Sequence, residues 1–94
     1  MLEIVWLQHA EADLNNIVEH IAKENIDAAI MLFERVIESS RGLLAHPKIG
    51  RSGKVKDTRE RIVSGTKYII VYRVTEKIEI LRILHGAQQW PMVI

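Results

Sequence analysis

The apolar positions of this chain change period twice, and the changes divide it into an extended start, a helical middle and an extended end. From Leu2 to Leu7, Leu2, Ile4 and Trp6 alternate with Glu3, Val5 and Leu7 among strand-forming residues. That predicts a short first strand with one face buried and Trp6 in core or strand-end packing. From about His9, Ala10, Leu14, Ile17, Val18, Ile21 and Ala22 recur at helical spacing, with Glu11, Asp13, Asn15, Asn16, Glu19 and Lys23 between them. The run breaks at Glu24-Asn25, where Asn25 suits either a left-handed helix end or the cap of a following helix. A second helix is predicted from about Asp27 to Leu44, with Ile26, Ala29, Ile30, Phe33, Val36, Ile37, Leu43 and Leu44 as its apolar stripe. So short a break makes the two helices an antiparallel hairpin. The Phe33 stripe is expected in the core, with a groove for a partner's helix as the alternative.

Pro47 bars helical geometry at His46, so His46–Lys56 (HPKIGRSGKVK) is a basic loop. Period two returns at Asp57–Val63, Ser64-Gly65-Thr66 turns the chain, and Tyr68–Val74 and Ile78–Leu84 follow as strands apolar on both faces. Their links are too short for crossovers, so these three strands form an antiparallel meander. The expected fold is α+β: an N-terminal strand, a helical hairpin and the meander, with the helices on one face of a four-stranded sheet and residues 1–94 forming one domain.

Composition adds limits. Of 94 residues, 48% are apolar and 27% charged, the balance of a folded water-soluble domain. No apolar run reaches the roughly 18 residues of a membrane span, and Met1-Leu2-Glu3 does not open a signal peptide, so no membrane association is expected. The chain has no cysteine, which permits a cytoplasmic location and excludes thiolate chemistry. Charge is uneven: residues 1–45 carry eight acids against three bases, a net −5, and residues 46–94 carry ten bases against four acids, a net +6. The basic half either meets an anionic partner or underlies the acidic helices.

The candidate chemistry is correspondingly basic. If Tyr68, Ile70, Tyr72 and Val74 pack under the helices, Ile69, Val71 and Arg73 face away. Arg59 and Arg61 are then expected to share that outer face, with Arg82, His85 and Gln88 near its rim. Arginines grouped in this way suit oxyanion recognition; paired instead with Glu60, Glu76 and Glu79, they form an ordinary solvated face. Gly-Arg-Ser-Gly-Lys at 50–54 lacks the spacing and preceding strand of a phosphate loop. His9, His20, His46 and His85 have no metal-ligand spacing, and Ser39, Ser40, Ser52 and Ser64 have no accompanying His and acid pattern. No metal and no cofactor is therefore expected.

His46-Pro47 with Gly50-Arg51, Thr58-Arg59-Glu60, Tyr72-Arg73-Val74, and Ile83-Leu84-His85-Gly86 running into Trp90-Pro91 occur here in one order over nearly the whole chain. That ordered set resembles the RelE/ParE superfamily, the toxin halves of bacterial type II toxin–antitoxin modules. The superfamily divides by activity. RelE-like members cut messenger RNA in the ribosomal A site. Arg59 and Arg61 match the two lysines of that branch, but Ile69 and Gln88 stand where it carries arginines, and its C-terminal tyrosine has no clear match. ParE-like members lack the nuclease set and inhibit DNA gyrase. The resemblance therefore implies a gyrase-inhibiting, non-enzymatic toxin, held by a cognate antitoxin along Ile30, Phe33 and Ile37. Its target-binding residues would be Arg59, Arg61, Arg73, Arg82, His85, Gln88, Gln89 and Trp90, and operator DNA would be left to the antitoxin. Two alternatives stay open: a ribosome-dependent endoribonuclease using Arg59, Arg61, Arg73, Arg82 and His85, and a nontoxic member that only binds its antitoxin.

Overall fold

A computed structural model describes residues 2–86. Its elements run β1 (Ile4–Trp6), α1 (Gln8–Ala22), α2 (Ile26–Ala45), β2 (Arg51–Ser52), β3 (Thr58–Ile62), β4 (Tyr68–Val74) and β5 (Ile78–His85). Asn25 resolves its ambiguity as a cap: its side-chain oxygen accepts the Ala28 N–H at 3.0 Å, satisfying one of the free donors at the start of α2.

The strands form one mixed sheet in the order β1-β5-β4-β3-β2. The meander β3-β4-β5 is antiparallel as expected, while β1 returns beside β5 in parallel register, with Ile4 opposite Ile78 and Trp6 opposite Ile80. The expected four strands become five because the basic loop folds two residues onto β3, pairing Arg51 with Glu60 and Ser52 with Arg59.

Both helices lie on one face of this sheet. Ala10 and Leu14 of α1 and Leu32, Val36 and Leu43 of α2 bury against Ile70, Tyr72, Ile78, Ile80 and Ile83. Strict alternation along β5 would have turned Ile83 away from Ile80. A bulge prevents this: Val71 pairs with Arg82 and the next residue, Tyr72, with Ile80, so Leu81 is extra. One inserted residue reverses the facing of everything after it. Ile83 thus enters the core and Arg82 leaves it.

The α2 stripe divides. Ala29, Leu32, Val36, Ser40 and Leu43 are buried, whereas Ile26, Ile30, Phe33 and Leu44 are exposed, and Ile37 lies between the two sets. The expected core stripe is thus half borne out: its Ala29, Val36 and Leu43 side lies in the core, and its Ile26, Ile30, Phe33 and Leu44 side lies outside it. Eight apolar residues on one helix span too wide an arc for a single sheet to cover. Ser40 is tolerated inside because its hydroxyl donates to the Ile37 carbonyl at 2.7 Å.

Candidate functional site

Register decides which charged side chains meet. Cα partners across antiparallel strands share a face, and Arg59 pairs with Tyr72 and Arg61 with Ile70. Both arginines therefore project on the helix side, not on the outer face expected for them. His85 pairs with Tyr68 and is also on the helix side, its ring edge-on to Tyr68 with centroids 5.7 Å apart. Arg73 and Arg82 remain on the opposite face, beside Ile69 and Val71. Gln88, Gln89 and Trp90 lie outside the described residues.

On the outer face each arginine meets a carboxylate. Arg51 reaches Glu60 at 3.0 Å and Arg73 reaches Glu79 at 2.6 Å. Arg82 grips Asp13 of α1 through two bonds of 2.6 and 2.9 Å, and the same carboxylate accepts the Ile83 N–H at 3.0 Å. Asp13 thus satisfies the edge of β5 beyond the point where β1 stops pairing. The hydrogen bond to Asp13 and its negative charge raise the Arg82 pKa further above its already high value, against the opposing effect of burial. Two charge-assisted bonds in a half-buried setting make this a structural clamp.

The helix-side residues also have local work. Arg59 Nη1 donates to the carbonyls of Gly50 at 2.9 Å and Lys48 at 3.2 Å, which pins the basic loop against β3. Tyr72, fully buried, accepts the Gly50 N–H on its hydroxyl at 2.9 Å. A β-carbon on Gly50 would stand 2.7 Å from that hydroxyl and 2.9 Å from the Glu60 carbonyl, so only glycine fits. Gly50, Arg59 and Tyr72, which sit in separate pieces of the motif set, are thus one loop anchor.

Apolar surface is exposed in two places. Ile30 and Phe33 are 52% and 44% exposed, and Phe33 and Ile37 line a shallow groove with Trp6 and Leu14 between α1 and α2. At the other end of α2, a wider groove of about 660 Å³ runs between Leu2, Ala45, Pro47, Ile49 and Val74. Ile26, Ile30, Phe33, Ile37 and Leu44 fall on one line of the helix, so the stripe leads toward this second groove. Grouped apolar surface of this kind suits contact with another molecule.

Two further cations, Arg35 and Arg61, flank a cleft between α2 and the β3–β4 turn. Among the described residues no group of three or more His, Asp or Glu side chains is arranged to hold a metal ion, and no helix is long and apolar enough to cross a membrane. Sequence reasoning did not find Asp13, whose acid looks like any other early charge on a helix. Nor did it find Arg35.

Comparison with known proteins agrees with this architecture. A family model described as the ParE toxin of the type II toxin–antitoxin system parDE matches residues 4–90. A protein of Sinorhizobium fredii (strain NBRC 101917 / NGR234), described as "Putative toxin Y4kP", is 37% identical over 91 residues, covering 97% of this chain and 95% of its own. A solved structure described as a chromosomal ParDE TA system from P. aeruginosa superposes with a TM-score of 0.82 at 26% identity, covering 90% of this chain and 96% of that one.

Proposed function

This chain belongs to the ParE toxin family of type II toxin–antitoxin systems, and on that premise we propose that it arrests growth by binding DNA gyrase and is neutralised by a cognate antitoxin. The observation that carries binding over cutting is the division of the cations. Phosphodiester cleavage needs a base and several cations converging on one phosphate. Here Arg59, Arg61 and His85 project from one face of the sheet and Arg73 and Arg82 from the other. Arg73 and Arg82 are each held by a carboxylate, and Arg59 by two carbonyls. That distribution supports a surface used for recognition.

Neutralisation is assigned to the helical hairpin. The line of exposed Ile26, Ile30 and Phe33 and half-buried Ile37 has the spacing that accepts an amphipathic partner helix, with Ile30, Phe33 and Ile37 as its central contacts. The groove around Ile49 and Val74 would take the segment that follows.

A supercoiling assay with purified gyrase, run beside a ribosome-dependent mRNA cleavage assay, tests the target. Loss of supercoiling with intact message is the expected result. Intact supercoiling with cut message would replace the reading by an endoribonuclease, and inertness in both assays would leave a chain that only binds its antitoxin.

A further inference from the structure

We propose that the cleft between α2 and the β3–β4 turn binds a carboxylate, and that its occupant is an acidic side chain of the antitoxin. The cleft is open, about 560 Å³, and lined by Arg35, Glu38, Ser39, Gly42, Arg61 and Ser64. Both guanidinium groups rest against glycines. The Arg61 guanidinium lies in the cleft lining beside Gly42, where a β-carbon would stand 3.5 Å from Nη1, in ordinary contact. On the other wall, Gly65 takes φ +75°, a conformation that favours glycine in the turn, and the end of the Arg35 side chain packs against it. Arg35 Nη1 donates a long bond to the Ser64 carbonyl at 3.5 Å.

Among the described residues, neither arginine has a carboxylate at ion-pair distance. This contrasts with Arg51, Arg73 and Arg82, which all do. Two planar donor forks facing one cleft suit an oxyanion, and the Ser39 and Ser64 hydroxyls add further donors. Glu38 in the same lining reduces the local balance to a single positive charge, which fits a monoanionic carboxylate better than a phosphate dianion. The acidic excess of residues 1–45 also disfavours a nucleic-acid backbone here.

The antitoxin as occupant rests on the toxin–antitoxin reading above and on position. At 100° per residue, Arg35 and Gly42 sit roughly 150° around α2 from the line of Ile30, Phe33 and Ile37. A partner seated on that line and reaching this cleft would clasp α2 from both flanks.

The test follows the arginine side-chain Nε–Hε resonances of the full chain, titrated at constant ionic strength with a blocked Ala-Glu-Ala peptide. A blocked Ala-Gln-Ala peptide and inorganic phosphate serve as the other two arms. The Glu peptide should shift Arg35 and Arg61 saturably while Arg51 and Arg73 stay still, and the Gln peptide should do nothing. Arg61→Gln should abolish the Arg35 response while leaving the backbone amide spectrum otherwise unchanged. Equal responses to the Glu and Gln peptides, or saturation by phosphate at lower concentration than by the Glu peptide, would overturn the carboxylate assignment. In the purified toxin–antitoxin complex the Glu peptide should move neither resonance; a persisting response would remove the antitoxin as occupant. The titration reads the cleft alone, so a chain inert toward gyrase can pass it and an active toxin can fail it.

Discussion

The outer face of the sheet and the exposed flanks of α2 are both surface, yet their side chains are in opposite conditions. On the sheet, Arg51, Arg73 and Arg82 are each committed to a carboxylate, and Asp13 also serves a strand edge. On α2, apolar side chains stand in solvent, and Arg35 faces a cleft where, among the described residues, it has no carboxylate at ion-pair distance. The lesson is that a row of basic residues does not by itself mark a working surface. Charges that have found partners within the chain stabilise it, and groups left without them are those available to another molecule.

That contrast breaks most readily at the loop anchor. Gly50→Ala forces a β-carbon against the Tyr72 hydroxyl and the Glu60 carbonyl. It should cost roughly 3 kcal/mol in chemical denaturation, near the upper end of overpacking effects. A cost under about 1 kcal/mol would mean that the loop is not held as described. Asp13→Ala should rank next, at about 2 kcal/mol, because Arg82 and the Ile83 N–H lose a shared partner in a half-buried setting. Equal stability of this variant and the wild type would reduce the clamp to a surface pair. Tyr72→Phe keeps the ring and leaves the buried Gly50 N–H unpaired; about 1–2 kcal/mol is expected from urea midpoints. Arg51→Ala should fall within about 0.5 kcal/mol, since its side chain is mostly solvated. A larger loss there would extend the structural role of the outer face to its margin.

The helices, their hairpin and the meander were legible because period and break signals are local. Ile17, Val18 and Ile21 repeat at helical spacing, Asn25 interrupts them, and Ser64-Gly65-Thr66 can hardly be read as anything but a turn. What stayed hidden depended on partners distant in sequence. Arg59 and Arg61 alternate with Glu60 and Ile62, so either set could have faced the helices, and only pairing with Tyr72 and Ile70 decides. The β5 bulge is equally silent in Ile80-Leu81-Arg82-Ile83, where apolar residues fit both faces. On α2 the apolar arc was visible but not its division, because the width that buries Val36 leaves Phe33 uncovered. The motif pieces identified the family correctly. Some of them, Gly50 with Arg59 and Tyr72, belong to the scaffold that holds the loop.

We propose that the exposed line of Ile26, Ile30 and Phe33 on α2 serves the antitoxin and adds little to the stability of the fold. Phe33→Asp measures this most directly, through denaturation of the free chain and antitoxin affinity in the same preparation. Stability within about 0.5 kcal/mol of wild type is expected, as for a surface substitution, with affinity weakened at least about 30-fold, as for a central interface aromatic. Unchanged antitoxin affinity in a folded Phe33→Asp chain would contradict it.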